Sequence, residues 1–497
     1  MTFGSLSRLI RRMPPNLLKN LAPPVCRGSK VLDKSAFTIK FNVWAVLFTD
    51  PKHIGQFLKS YHKEAISIPR IPFIDCLDRE SPEGKELLLL DIKNRALKVI
   101  ILNDKLKVTK KDEEKEPKNI KYIPENLTDS ISKECINFIN DADGIYRIHE
   151  LTFGYDFWKA EEILKAILPE DLLDDIPTSF TKAGHLAHLN LRDEYKPYDS
   201  VIGQVILDKN PTITTVVDKV DTVGNKFRTF KMKVIAGEPD FMVTQRESGC
   251  DFTFDFSKVY WNSRLSTEHG RLIKGFKSGS AICDVMAGVG PFAIPAGKKG
   301  CFVFANDLNP ESYKYLKQNI ESNKATRTVL PFNLDGAQLI KDSPKMLMDY
   351  VKEHPTVKII SHPNGHAKRR KVSELKVPHF FSEYAMNLPG SAITFVPAYV
   401  GLFSRAFPDL SKEEIQKLPD YKLPLIHVYH FEKFSPMEKP EPSEDDLFRR
   451  MHKKISNYLN YNIPFEKLSF HLVRKVAPTK PMYCITFELP EEVAFSK

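Results

Sequence analysis

The stretch Ile282-Cys-Asp-Val-Met-Ala-Gly-Val-Gly-Pro291 reads as a short apolar strand that runs into a glycine turn and then opens a helix. Gly288 and Gly290 carry no Cβ, so the backbone there can come close to a ligand. A Gly-x-Gly alone specifies little, but the strand after it adds weight. Cys301-Phe-Val-Phe-Ala-Asn306 is that second strand, and Asp307 at its C-terminal end stands 23 residues after Asp284. That spacing matches the acid that accepts hydrogen bonds from ribose hydroxyls in nucleoside-binding α/β folds. Asn309-Pro310-Glu311 supplies a capping side chain, a first-turn proline and an early acid for the next helix. A third strand over Thr328–Leu334 ends at Asp335-Gly336, where a carboxylate can accept from an adenine amino group. Structural turns explain any one of these strand ends and explain three in succession poorly.

From Lys258 onward this alternation of strand, glycine turn and helix predicts a parallel α/β sheet. A dinucleotide-binding dehydrogenase shares the fold class, and Ala293 at the last position of its glycine fingerprint is permitted, so the glycines leave both readings open. The form Asp-x-x-Ala-Gly-x-Gly-Pro, led by Asp284, is similar to the first motif of class I methyltransferases. S-adenosylmethionine has no pyrophosphate to place on a helix N-terminus, and its cationic end favours a nearby carboxylate such as Asp284.

Outward from this core, 497 residues exceed what one hydrophobic core usually supports. The expected organisation is a basic targeting or disordered segment over 1–33, a small domain over 34–145, a middle α+β domain over 146–256 and the α/β domain over 257–497. Strands are predicted over Phe41–Phe48, Leu97–Leu102, Ala187–Leu191 and Val201–Leu207, and an amphipathic helix over Tyr155–Leu168, ended by Pro169. The charged run Lys110–Lys118 reads as an exposed linker or long loop. Residues 341–380 interrupt the α/β pattern, and the basic run His366–Lys371 within them reads as a solvated loop or a phosphate contact.

Composition sets further bounds. Hydrophobic residues make up 42% and charged residues 27%, with no apolar run near the roughly 20 residues needed to cross a bilayer, so a soluble protein without a membrane partner is expected. The seven cysteines are scattered with no Cys-x-x-Cys pair, which implies a reducing compartment and no metal. His185 and His188 lack a nearby third ligand and read as structural. The net charge is +10, yet six basic residues and no acid lie within residues 1–32, so charge alone does not point to a nucleic-acid partner. That acid-free segment suits a mitochondrial targeting sequence, and Met13 offers a second start that omits Arg8, Arg11 and Arg12. Mitochondrial matrix, cytoplasm and nucleus are the expected compartments.

Five segments together carry a more specific resemblance. Lys258-Val-Tyr-Trp-Asn-Ser-Arg-Leu-Ser-Thr-Glu-His269, Asp284–Pro295, Ala305–Ser312, Asn387-Leu-Pro389 and Val473-Arg-Lys-Val-Ala-Pro478 resemble the tRNA (guanine-37-N1) methyltransferase family of archaea and eukaryotes, fungal members above all. The resemblance runs from about Tyr155 to the C-terminus. It implies a class I, Rossmann-like methyltransferase domain preceded by two smaller α+β domains, S-adenosylmethionine as cofactor, and tRNA with guanine at position 37 as partner of a monomer.

The chemistry gives these positions meaning. N1 of guanine bears a proton at neutral pH, so a base must remove it, and the charge that then develops on O6 calls for a donor or cation. The resemblance places Glu268 as that base and Arg228, in Asn225-Lys-Phe-Arg-Thr-Phe230, as the cation at O6. Taken alone, Glu268 would be a favourable acid in a first helical turn near Thr267 and Arg228 a surface arginine. Asn387 and Pro389 fall where a fourth strand ends and are expected to face the base, with Tyr260 packing beside it. The cofactor set is His269, Asp284, Gly288, Gly290, Asp307, Leu308, Asp335, Gly336 and Asn387. Chemistry at N1 further implies a base turned out of its stack. Two rivals remain: an aminocarboxypropyl transferase of wybutosine synthesis on the same fold, and a non-catalytic tRNA-binding protein. The intact set of Glu268, Gly288, Gly290, Asp307 and Asp335 speaks against the second.

Overall fold

The computed structural model describes residues 21–90, 92–116, 121–220, 231–361 and 371–496. Arg228, the basic residues Arg8, Arg11, Arg12 and Lys19, and His366–Arg370 of the basic run lie outside the described residues. The described chain divides into two compact units: residues up to Thr178 with Arg192–Asn210, and Ser179–Leu191 with Pro211 onward. The interval 146–256 therefore contributes to both.

In the first unit, β1 (Ile39–Phe48), β2 (Ile74–Cys76), β3 (Lys98–Ile101) and β4 (Gly144–Phe153) form an antiparallel sheet in the order β2-β3-β1-β4. Strand alternation sends Trp44, Val46 and Phe48 into one cluster with Ile100 and Ile139, and Ala45 and Leu47 into another with Leu87 and Val99. Both faces of β1 are thus covered from Val43 to Phe48, which the unbroken apolar run there requires.

Three local expectations need correction here. The run Lys110–Lys118 is no simple exposed linker: Lys110–Lys115 is a helix with a Thr109/Asp112 capping box, and Glu116 is buried against Arg147, whose Nη1 lies 3.2 Å from Glu116 Oε1. The segment Val201–Leu207 is helix, within Asp199–Lys209, and not strand. Val201, Ile202, Val205 and Ile206 are all buried, which fits one face of a helix better than a two-residue alternation. The predicted Tyr155–Leu168 helix splits into a 3₁₀ turn, Tyr155–Phe157, and a shorter helix, Ala160–Ile167, that buries Ile163, Leu164 and Ile167.

In the second unit, β5 (Thr181–Ala183), β6 (Leu186–Leu189), β7 (Thr215–Lys219) and β8 (Met232–Gly237) make a four-stranded sheet, and β9 (Met242–Glu247) with β10 (Cys250–Asp255) a hairpin. His188 on β6 packs at 5.9 Å from the Phe256 ring, and burial with Lys219 nearby lowers its imidazole to about 4.

The dominant element is a seven-stranded sheet of β11 (Ala281–Asp284), β12 (Phe302–Asn306), β13 (Val329–Phe332), β16 (Phe381–Met386), β17 (Leu425–Phe431), β18 (Leu468–Ala477) and β19 (Lys480–Glu488). Its order is β13-β12-β11-β16-β17-β19-β18. Strands β11, β12, β13, β16 and β17 pair in parallel, and β19 runs antiparallel between β17 and β18. The hairpin β14 (Thr356–Ser361) and β15 (Lys371–Lys376), with the helix Gly336–Glu353 before it, fills the region that interrupts the α/β pattern. Alternating residues serve opposite faces: Cys283, Phe304, Tyr384 and Val428 pack on one side, and Ile282, Val303, Ala385 and Tyr429 on the other. The order reverses between β11 and β16, and ligands of such sheets bind outside the carboxyl ends of strands at that switch point.

Candidate active site

The switch point is built by cross-links between strand ends. Asn306, buried at the end of β12, donates through Nδ2 to Val285 O and Leu334 O, each at 3.0 Å, and accepts from Leu334 N at 2.8 Å. One side chain thereby fixes the carboxyl ends of β11, β12 and β13. Asp307, next in sequence, accepts from Gly288 N through Oδ2 and from Asn309 N through Oδ1, both at 2.9 Å. Asn309 caps the helix Pro310–Ser322, as its sequence context predicts, and donates to Lys258 O at 2.9 Å. That last bond ties the Tyr260 segment to the cofactor motifs.

These ends enclose a cleft of ≈ 770 Å³, counting its open mouth. Of the predicted residues, Tyr260, Gly288, Asp307, Leu308, Asp335, Gly336 and Asn387 line it. Val285, Met286, Leu388 and Phe395 supply apolar wall, and Asn306, Asn309 and Ser312 polar wall. Asp335 caps the helix Gly336–Glu353 through Oδ1, which accepts from Ala337 N at 2.9 Å. Gly288 takes a positive φ of +56°, and a Cβ there would meet only open space. A flat nucleoside fits such a wall: carboxylates for ribose and amino donors, apolar surface for a ring, and a glycine turn that adds no bulk.

Two buried features lack partners. The Oδ1 of Asn387 is buried with no hydrogen bond. Neither oxygen of Asp284 has a well-aligned partner. Burial, together with the carboxylate of Asp307, pushes the Asp284 carboxyl up to about 8, against a smaller opposing effect of the Ala293 and Met286 amides. Asp307 is also raised, mainly by burial. Two acids held this way favour a cationic, hydrogen-bond-donating ligand, which suits S-adenosylmethionine.

Asp284, Gly290, Glu268, His269 and Pro389 stand outside the cleft lining. Gly290, at φ +100°, has core side chains of Ile294 and Leu316 where its Cβ would be, so it serves close packing. Pro389 O accepts from Phe431 N at 3.0 Å, joining the loop after β16 to the end of β17. His269 is buried with Nδ1 at 2.5 Å from Glu247 Oε1 and its ring edge-on to Phe292.

Glu268 sits in the first turn of the helix Ser266–Gly275 and is 5% exposed. Arg271 donates to it twice, Nε to Oε2 and Nη2 to Oε1, both at 2.7 Å. Tyr429 OH donates to Oε1 at 2.7 Å, and His471 Nε2 lies 3.3 Å from Oε2. Burial, then Cys484 and Glu268, keep the Tyr429 phenol well above its usual range, so it remains a donor. Of these partners, Arg271 lies one helical turn from Glu268, a spacing legible in sequence; Tyr429 and His471 come from remote strands and carry no local signal.

Known proteins extend this picture. The model of the TYW2 N-terminal domain matches residues 160–240, and that of the TRM5/TYW2 methyltransferase domain matches 243–394. A tRNA (guanine(37)-N(1))-methyltransferase of Candida albicans (strain SC5314) is 44% identical over 491 residues, covering 97% of this chain and all of that protein. One of Saccharomyces cerevisiae (strain S288c) is 44% identical over 508 residues, covering 99% of each. The solved complex of aTrm5 and tRNALeu matches 90% of this chain and 100% of that chain with a TM-score of 0.50 at 17% identity, a likeness of fold. With such identity along nearly its whole length, the chain belongs to the tRNA (guanine-37-N1)-methyltransferase family.

Proposed function

We propose that this chain moves a methyl group from S-adenosylmethionine to N1 of guanine 37, with Glu268 as the base that takes the N1 proton. The observation that carries the reading is the meeting of Asp307, Asp335 and Asn387 around one cleft at the switch point of the sheet. The cofactor would supply an electrophilic methyl group. Asp307 accepts from ribose hydroxyls, Asp335 from the adenine amino group, and the Gly288 turn leaves room for both. Burial holds the Asp284 carboxyl protonated up to about pH 8, and the cofactor's cationic end would favour its ionised form. Asn387, whose buried oxygen lacks a partner, offers that oxygen to an N–H of the target base.

Glu268 takes the proton because its carboxylate is buried and oriented by three side chains. Arg271 holds both carboxylate oxygens and fixes their orientation. Charge that moves onto O6 is met by Arg228. The protein acts as a monomer, and the acid-free stretch over 1–32 directs one form to mitochondria.

Glu268→Gln keeps size and hydrogen bonding but removes the base, so single-turnover methyl transfer should fall about 10²–10⁴-fold. Cofactor and tRNA affinity should change little. A wild-type rate in this variant across neutral pH would overturn the assignment. Mass analysis of the product nucleoside separates methylation from aminocarboxypropyl transfer, and tRNA with adenine at position 37 should receive nothing at that site.

A further inference from the structure

The strand register places Tyr429, Cys484 and His471 in one row across three adjacent strands: Tyr429 pairs with Cys484, and Cys484 with His471. Glu268 contacts both ends of that row, at Tyr429 OH and at His471 Nε2. The two ends differ in environment. Tyr429 is fully buried in the interior of the sheet, whereas His471 belongs to the edge strand β18 and its side chain is 47% exposed.

A carboxylate has about four lone-pair sites. On Glu268 Oε1 they face Tyr429 OH and Arg271 Nη2, and on Oε2 Arg271 Nε and His471 Nε2. The three contacts to Tyr429 and Arg271 are 2.7 Å long, and the contact to His471 is 3.3 Å. His471 is thus the weakest-held and most exposed of the partners, and the one that can move without leaving a buried donor unpaired. It is also the only one of the three that can receive a proton: the guanidinium is already fully protonated and the buried phenol already carries its hydrogen.

The geometry points to His471 as the outlet for the proton that Glu268 removes from guanine N1, an inference that rests on Glu268 being the base. The N1–H bond breaks toward Oε2 and leaves its electron pair on N1. The proton takes the Oε2 lone pair that faces His471, which is open when the imidazole carries its hydrogen on Nδ1 and a lone pair on Nε2. It then passes from Oε2 to Nε2, and the imidazolium gives up its Nδ1 proton to water and returns to the Nδ1–H tautomer by exchange with water. An imidazole is intrinsically a stronger base than a carboxylate. Passing the proton on before the N1–methyl bond forms therefore raises the share of deprotonated guanine and speeds methyl transfer itself. Among the described residues, the other titratable and charged groups that contact Glu268 or share its row are Arg271 on its own helix, Tyr429 on β17 and Cys484 on β19. Burial and Glu268 push the Cys484 thiol up to about 11, so it stays neutral.

The test uses the full chain, S-adenosylmethionine and tRNA with guanine 37, in single turnover. His471→Ala and His471→Gln should each lose about 10²-fold, at the low end for a positioned proton carrier. Added imidazole should restore much of the rate to His471→Ala. Melting temperature and cofactor affinity should match wild type. Wild-type rates in both variants would overturn the outlet, as would a loss that imidazole leaves untouched or that His471→Gln escapes. Glu268→Gln, run alongside, separates the two readings: a loss there with normal His471 variants removes only the outlet, and normal rates throughout remove the base as well.

Discussion

Asp307 is bound to the glycine turn through the backbone: its Oδ2 accepts from Gly288 N at 2.9 Å. Because the donor is a backbone amide, the bond survives any side chain placed at position 288 except proline. Gly288→Ala should then cost about 1–2 kcal/mol, the penalty of a left-handed φ on an L-residue. The fold persists and cofactor affinity drops, since the turn lines the cleft. Gly290→Ala should be worse by about 1–3 kcal/mol, because its Cβ would come 2.7 Å from Ile294 Cδ1 and 3.0 Å from Leu316 Cδ1 in addition to strain at φ +100°. Equal losses for the two variants in chemical denaturation would show that Ile294 and Leu316 yield freely.

Asp284 should make the protein less stable as pH rises. Its folded carboxyl lies at about 8, above the ordinary value of 3.8, so between these limits the folded state binds more protons than the unfolded one. Stability from this group is fully present below about pH 4, is lost through the window and levels off above about pH 8. The slope approaches about 1.4 kcal/mol per pH unit, the limit for one proton. Asp284→Asn should flatten it. Cofactor affinity should rise with pH across the same window in the wild type, because a cation favours the ionised acid, and Asp284→Asn should abolish the rise. Calorimetry at several pH values reads both, and identical slopes in the two proteins would show that Asp284 is ionised throughout.

Such strand-end residues were legible in the sequence because glycine turns, capping residues and acids act within a few positions of one another. The first three strands of the large sheet and the ends at Asp284, Asp307 and Asp335 follow that local grammar. Val201–Leu207 failed it: its β-branched residues raise strand propensity, while burial of Val201, Ile202, Val205 and Ile206 together decides for a helix. Lys110–Lys118 failed for another reason, since the partner that buries Glu116, at the end of a short helix, is Arg147 on the remote strand β4. The surroundings of Glu268 show the same limit. Tyr429 and His471 lie 161 and 203 residues away in sequence, and only sheet order brings them to it.

At the other end of the sheet, Glu383 on β16 and His427 on β17 form a buried pair, with Nε2 to Oε2 at 2.8 Å, and His427 Nδ1 lies 2.9 Å from Thr486 Oγ1. Both stand near the start of their strands, while Asn387 and Pro389 follow the far end of β16, so the pair serves stability and not the cleft. His427→Leu should cost about 1–3 kcal/mol by leaving a buried carboxyl unpaired. Glu383→Leu combined with His427→Leu should cost less than His427→Leu alone, because no orphan remains. Methyl transfer by folded protein should be unchanged. Denaturant midpoints of the single and double variants check the order, and a double variant less stable than the single would point to packing rather than pairing.

Asn387 should separate stability from activity. Its Oδ1 is buried without a hydrogen bond while its side chain lines the cleft. An unsatisfied buried oxygen is a cost already present in the folded protein, of about 1–3 kcal/mol. Asn387→Ala removes that oxygen, so the variant should melt at or slightly above the wild-type temperature despite losing side-chain contacts. If the oxygen is kept for an N–H of the target base, the same change should lower single-turnover methyl transfer by about 10²-fold, as loss of one positioned polar group at a reacting centre does. Cofactor affinity should move less than the rate, since Asp307 and Asp335 remain. Asn387→Asp offers the contrast: it retains an acceptor at the same place, so its rate should fall less than that of Asn387→Ala, while one more acid beside the buried Asp284 and Asp307 should make it the less stable of the two. Thermal melting and single-turnover kinetics on both variants decide the point, and a destabilised Asn387→Ala with a normal rate would show that the amide serves the fold and not the base.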